Sequence, residues 1–397
     1  MTPRLTADPS IGDRIQARRL LRGWSIRHAA SRAGISHATW SRIERGRQAA
    51  DNRFMLADIA TALECSPAEL AGSVVPAADR AVVAAHAAVH GIRQALVDID
   101  LTETPSVAAP PLASLAGQLT LTDELRQACD YAGAARLTPD LLRGLHAAAA
   151  GPGRREALPM LINATHIASS VLRNLGHLAD AWLAAERCRD AAEAAGDPVL
   201  LGVAAYARAG AASACGSFDR ALTIASRAID DLSDRPGGAE VAGTLRLLCS
   251  YASRGRRNTD DSRAWAAEAA ALAEHTGETT TLALYFGPTN VGIWRIGIEV
   301  DGDDPGRAAE VARDTNPGVL AYGFRQVFYY ADTARALARL RKDQEAIRFL
   351  LTAERIAPQH VHTSAVAQET TRALLERSRR LAGGSELRGL CERMRVA

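Results

Sequence analysis

Beyond residue 170 of this 397-residue chain, a short break is followed five times by a helix that opens on an alanine. The stretches are LGHLADAWLAAERC, CGSFDRALTIASRAI, TDDSRAWAAEAAALA, DPGRAAEVA and RKDQEAIRFLLTAERIAP, with the alanines at Ala181, Ala221, Ala264, Ala308 and Ala346. Their spacings of 40, 43, 44 and 38 residues suit one helical hairpin per repeat. Alanine at that place lets two antiparallel helices approach closely, where a larger side chain would hold their axes apart. Such a chain is expected to be all-α and built as a stack, an α-solenoid; a generic helical bundle is the alternative. Composition agrees, because hydrophobic residues make up 47% and aromatics only 5%, so small aliphatic side chains carry the core.

The N-terminal part is patterned differently. Residues 1–76 hold eleven arginines against seven acidic residues, although the whole chain is close to neutral at +2. In IGDRIQARRLLRG, Ile11, Ile15 and, after a turn, Leu20 and Leu21 fall near helical spacing, and Gly23 ends the pattern. Ser25 offers an N-cap for a second helix that stops at Gly34, and Ser36 one for a third running from His37 to about Arg45. A fourth helix, NRFMLADIATALEC, carries Phe54, Leu56, Ile59 and Leu63 on roughly one face. The fifth, SPAEL, has a serine cap, proline at its first position and an acid in its first turn. On a wheel of about 100° per residue, Trp40 and Ile43 point inward with Ile35. His37, Ala38, Ser41, Arg42 and Arg45 then form an outward row free of acids, while Glu44 lies at the flank. Hydrogen-bonding tips, a small residue and guanidinium groups are the chemistry needed to meet base edges and phosphates in a major groove.

On IGDRI, RRLLRGWS, AASRAGISHATWSRIERG and LADIATALECSPAEL, residues 11–70 resemble a helix-turn-helix of the Cro/phage-repressor type, the XRE family. The resemblance implies a DNA-binding domain over 11–72, with Ser36, His37, Ala38 and Arg42 reading bases and Thr39, Arg45 and Arg47 at the phosphate backbone. It also implies a structural ion pair between Arg19 and Glu44. Ile26 stands where the family often has glutamine, so Arg27 or Arg53 is expected to supply a phosphate contact instead. The partner would be double-stranded DNA with a palindromic operator, bound by a homodimer joined through residues 77–98 or the solenoid ends.

Residues 1–10 are expected to be disordered and 73–122, containing TETPSVAAPP, to be a linker helix with an irregular connection. The region 123–397 is expected to be the solenoid. Within it GSFDRALTIASRAID resembles the second half of a tetratricopeptide repeat, and GPTNVGIWRIGIEVDGDD resembles a segment of actinobacterial regulators that join such helices to a helix-turn-helix. The architecture also resembles that of peptide-pheromone receptors of Gram-positive bacteria, which implies an effector, either peptide or small molecule, or a protein partner. A ligand groove is expected from the aromatics Tyr285, Phe286, Trp294, Tyr322, Phe324, Phe328 and Tyr329. The polar residues Asn163, Arg173, Asn174, Asn290, Arg295 and Arg325 would line it with them.

No P-loop, dinucleotide fingerprint, HExxH or nucleophile elbow is present, so neither enzyme activity nor a cofactor is expected. His360 and His362 are expected to be solvent-exposed rather than metal ligands, and no metal site is expected. The six scattered cysteines suit reduced thiols, and with no apolar leader or membrane span the chain is expected in the cytoplasm. A protein-interaction scaffold, antitoxin-like, is the second functional reading; it would not require His37, Ala38 and Arg42.

Overall fold

The computed structural model describes residues 9–72, 80–103, 105, 108–230, 232, 235–379, 384–394 and 396. Residues 1–8 and 73–79 lie outside the described residues, and with them most of the expected disordered start and the beginning of the expected linker. Ser10 is ordered: it caps the first helix in a reciprocal capping box with Asp13. Regular structure among the described residues is helical, apart from one isolated bridge between Thr279 and Phe286.

Five short helices, α1 (Ile11–Leu21), α2 (Ile26–Arg32), α3 (His37–Glu44), α4 (Arg53–Ala62) and α5 (Pro67–Ala71), make the N-terminal domain. Each starts at a side-chain cap, from Ser10, Ser25, Ser36, Asn52 and Ser66 in turn. Gly34 turns the chain between α2 and α3 at φ +64°, a conformation that costs glycine little. Ile15, Trp40, Ile43, Ile59, Leu63 and Leu70 are almost fully buried between these helices. Each contributes roughly 1.5–3 kcal/mol by leaving water.

The helical domain begins with α6 (Arg80–Asp98), α7 (Leu112–Gln127) and α8 (Tyr131–Ala149). Here the expected linker over 73–122 needs correction. α6 buries Val82, Ala85, Val89, Ile92, Ala95 and Leu96 and packs against α8, so it is part of the domain. The described residues from Ile99 to Pro111 form no helix, and residues 112–122, expected to continue the irregular connection, belong to α7 instead.

Paired helices follow: α9 (Arg154–Asn174) with α10 (Leu178–Ala195), α11 (Pro198–Ala214) with α12 (Phe218–Arg227), and α13 (Gly238–Gly255) with α14 (Thr259–Thr276). They continue with α15 (Pro288–Asp301) and α16 (Pro305–Asp314), then α17 (Gly323–Arg339) and α18 (Asp343–Ile356), and the stack closes with α19 (Pro358–Thr363), α20 (Ala365–Arg379) and α21 (Ser385–Met394). Ala181, Ala221, Ala308 and Ala346 are each the fourth residue of a second helix and are at most 1% exposed. Ala264 is not the counterpart in α14. It is exposed, and the fourth position belongs to Ser262, which is buried. Serine is small enough for the same close approach. The Ser250 hydroxyl of α13 donates to the Ser262 carbonyl at 2.7 Å, as the Ser169 hydroxyl of α9 donates to Ala181 at 2.8 Å.

The N-terminal domain is docked onto this stack. Phe54 and Ala57 of α4 leave the face formed by Leu56, Ile59 and Leu63 and join the core of the helical domain. The Phe54 ring packs at 5.5 Å from Phe218 and 4.9 Å from Tyr251. Sequence periodicity grouped Phe54 with its α4 neighbours, yet it lies about 200° around the helix from Leu56 and serves the other surface. A charge cluster surrounds this contact. Arg53 donates to Asp301 at 2.8 Å and to Asp332 at 3.1 Å, and its backbone N–H donates to Asp301 at 3.0 Å. Arg335 meets Asp301, Asp332 and the Asp51 carbonyl, while Arg339 pairs with the Asp51 carboxylate at 2.8 Å. Three arginines thus face three aspartates across the junction.

Candidate nucleic-acid interface

The third helix owes its orientation to its buried side. Trp40 and Ile43 are locked in the core, and Glu44 beside them is only 7% exposed. Arg19 of α1 grips Glu44 with both arms of its guanidinium, at 2.6 and 2.8 Å, and donates a further bond to the Trp24 carbonyl at 2.7 Å. The Trp40 indole N–H donates to the same carboxylate. Hydrogen bonding to Glu44 raises the Arg19 pKa above its ordinary value against the opposing effect of burial. Gly12 lets α1 lie directly on α3, because a Cβ there would fall 2.3 Å from the Ile43 carbonyl oxygen.

Opposite this anchor, Ser36, His37, Ala38, Arg42, Arg45 and Arg47 are exposed, and Thr39 is half-buried. Ser36 caps α3 by accepting from the Thr39 N–H at 3.0 Å, and the two hydroxyls lie 2.9 Å apart. Arg42 is held upright by a 3.0 Å bond to the Gln48 side chain and a longer one, 3.4 Å, to Thr39. Gln48 was not singled out in the sequence; its distance of six residues from Arg42 crosses the Gly46 turn, so no helical spacing reveals it. Arg27 is exposed on α2. Arg53 is turned away from this face into the junction, where Asp301 and Asp332 occupy it, so the expectation that it serves phosphate is corrected. The cause is electrostatic: burial disfavours its charge, but the two carboxylates outweigh that and raise its pKa well above the ordinary value.

Ser36, Thr39 and Arg42 also line one wall of a cleft of about 1340 Å³ whose other wall is the helical domain. Arg254, Arg257, Arg339, Arg341 and Arg377 stand on that far wall. Arg257 bridges the cleft by pairing with Asp58 of α4 at 2.7 Å. Part of the exposed row on α3 and a set of arginines from the stack therefore share one opening.

The expected ligand-groove residues divide. Asn163 and Arg173 lie on α9, Asn290 and Trp294 on α15, and Phe324, Arg325 and Phe328 on α17. Tyr285, Trp294 and Phe324 gather around the Arg325 guanidinium at 5.9, 5.6 and 5.1 Å, and the Tyr322 ring lies 5.1 Å from Tyr285. Phe286 is not in a groove: it is fully buried and packs where Gly243 leaves room. Tyr329 is likewise core, with its hydroxyl donating to the Ala312 carbonyl at 2.9 Å. Asn174 donates to the Ser170 carbonyl of its own helix, and Arg295 is half-buried on α15. Phe328 is stacked against Phe324 and His360. Three residues passed over in the sequence belong with the cluster: Arg126, His166 and Tyr206. His166 falls three residues after Asn163 and seven before Arg173, a spacing that keeps all three on one side of α9 and was open to detection.

His360 and His362 are buried rather than exposed. His360 bonds the Tyr131 hydroxyl at 2.7 Å and ties α19 to α8, while His362 bonds the Glu354 carboxylate at 3.0 Å and ties α19 to α18. Among the described residues no group of three His, Cys, Asp or Glu side chains is arranged to hold a metal ion, and no helix is long and apolar enough to cross a membrane. The six cysteines are free thiols; Cys215 is exposed and Cys65 half-buried, the others buried.

Residues 10–72 match the model of a protein family described as a helix-turn-helix domain. No curated protein matches the chain. The match covers the five N-terminal helices, with the exposed row on α3 among them.

Proposed function

We propose that the chain is a sequence-specific DNA-binding transcriptional regulator of the XRE helix-turn-helix type that acts by binding rather than catalysis. The observation that carries this reading is the row Ser36, His37, Ala38 and Arg42, exposed on a helix whose other side is fixed by Trp40, Ile43 and the Arg19–Glu44 pair. A helix pinned this firmly presents its polar tips in one geometry, which is the requirement for reading base edges. Arg45, Arg47 and Arg27 supply exposed cations for phosphates, which position the domain without reading sequence.

A single module of five short helices covers modest surface, so tight binding calls for a homodimer on a two-fold operator with half-sites about 34–36 Å apart or multiples of it. The tetratricopeptide-like stack is the effector-sensing part. The charge cluster at the junction and the shared cleft give it direct purchase on α3 and α4: an effector that alters the stack changes how the reading row is offered. Selection of duplexes from a random pool, followed by fluorescence anisotropy of the recovered sequence, tests the reading. A palindromic consensus bound at least about a thousandfold more tightly than scrambled duplex is expected. Recovery of no consensus, with equal affinity for all duplexes, would overturn it.

A further inference from the structure

The two clusters of charge in the helical domain differ in balance. In the junction cluster Arg53, Arg335 and Arg339 each meet a carboxylate. Deeper in the stack, Arg126 of α7, Arg173 of α9 and Arg325 of α17 come together with one carboxylate, Asp123, which pairs with Arg126 at 2.5 Å. Arg126 and Arg325 lie over the same two rings, Tyr285 at 5.7 and 5.9 Å and Phe324 at 5.5 and 5.1 Å. Among the described residues, neither Arg173 nor Arg325 has an ion pair, and Arg325 is only 8% exposed. The Arg173 guanidinium passes over α11 where Gly210 leaves space, since a Cβ there would fall 2.2 Å from it.

Unpartnered polar atoms collect around the same place. The Asn163 Oδ1, His166 Nδ1, Asn290 Oδ1, Trp294 Nε1 and Arg325 Nε atoms are buried without a hydrogen bond. Buried polar groups are ordinarily satisfied, and buried charges ordinarily paired, because each exception costs several kcal/mol. Burial, reinforced by all three arginines, pushes the His166 pKa down to about 3, so this imidazole adds no charge. The surplus is about two positive charges, on helices that come from three separate parts of the chain.

We propose that this inner face of the stack binds a small doubly charged oxyanion, a phosphate monoester or a dicarboxylate, held by Arg126, Arg173 and Arg325. Guanidinium forks suit both oxyanions through paired N–H donors. Asn163, Asn290 and Trp294 provide further acceptors and a donor for the remainder of the molecule. The inference rests on the reading above that the stack senses an effector, and it names that effector's chemistry. Binding in the stack and binding to DNA are separate observables, so either can fail alone.

Thermal unfolding of the full chain in buffers free of polyvalent anions tests it, with phenyl phosphate, inorganic phosphate, succinate and acetate as probes and chloride at matched ionic strength as control. Succinate or the phosphates are expected to raise Tm by a few degrees with saturation, and acetate to do far less. A response to the phosphates alone or to succinate alone identifies the source of the charge. Arg173→Met and Arg325→Met are expected to raise Tm without probe, since each removes a charge that no carboxylate compensates, and to abolish the response; Arg307→Met on the outer surface should do neither. No saturable response to any doubly charged probe would overturn the proposal. So would an undiminished response in both variants, or variants that unfold, which would mark the guanidiniums as structural props.

Discussion

Replacing Arg53 by methionine is expected to loosen the junction without harming either domain. Methionine keeps most of the unbranched stem and removes the guanidinium. In the docked arrangement this strips Asp301 and Asp332 of a shared cation at 2.8 and 3.1 Å and leaves Arg335 alone to serve both. Asp301 is fully buried; burial pushes its pKa up, but Arg335 and Arg53 outweigh that and hold it well below the usual carboxylate range. When the domains part, Arg53 projects from the first turn of α4 into water, so the undocked state loses almost nothing. Breaking one side of a buried pair costs about 3–5 kcal/mol, and because the Arg53 side chain keeps 30% exposure we expect about 2–3 kcal/mol. That is a shift of about 30- to 150-fold toward the undocked state. Hydrogen exchange reads it directly, since the Arg53 amide is protected by its bond to Asp301. Exchange in peptides spanning residues 50–57 should accelerate by that factor, while Arg27→Met leaves it unchanged. Equal protection in Arg53→Met and wild type would show that the ionic cluster does not hold the domains together.

Glu44→Gln leaves Arg19 buried with a neutral partner and should destabilise the N-terminal domain by about 3 kcal/mol in chemical denaturation; a loss under about 1 kcal/mol would contradict the role of the pair. Arg45→Ala and Arg47→Ala should weaken binding to specific and random duplex alike and reduce the salt slope by roughly 0.9 per lost phosphate contact; an unchanged slope would place them off the backbone. Burial, with help from Arg53, pushes the His360 pKa down to about 4, so this imidazole is neutral in the fold. Its contribution to stability is complete above about pH 6.5 and lost as pH falls from there toward about 4. His360→Gln should flatten the stability profile between about pH 6 and 5 by about 1–1.4 kcal/mol per pH unit, and an unaltered profile would show that the ring is already protonated in the fold.

The N-terminal domain was legible because each of its signals is local: a cap, a glycine turn and an inward Trp40–Ile43 pair lie within a few residues of one another. The alanine register was legible too, except where Ser262 takes the small-residue position and Ala264 two places on imitates it. What the sequence hid depends on contacts far along the chain. Arg53 reads as one more exposed cation until Asp301 and Asp332, some 250 and 280 residues later, are brought beside it. Phe54 fits the α4 pattern yet serves a second core, since periodicity cannot say that both faces of a helix are occupied. The aromatic runs before α15 and along α17 drew Phe286 and Tyr329 into the expected groove, because composition does not distinguish a ring that fills space beside Gly243 from one that faces a cluster of arginines. Arg126 was missed because the rings it lies over, Tyr285 and Phe324, come some 160 and 200 residues later.

The most direct test is competition between the selected operator and a scrambled duplex for wild-type protein and Arg42→Ala at a fixed salt concentration. Arg42 is exposed, held by Gln48 and Thr39, and central to the row proposed to read bases. If it meets a guanine edge with both arms, its loss should cost about 1–3 kcal/mol of discrimination, roughly 5- to 150-fold, and leave affinity for scrambled DNA little changed. Undiminished preference for the operator in Arg42→Ala would mean that the row on α3 does not read DNA.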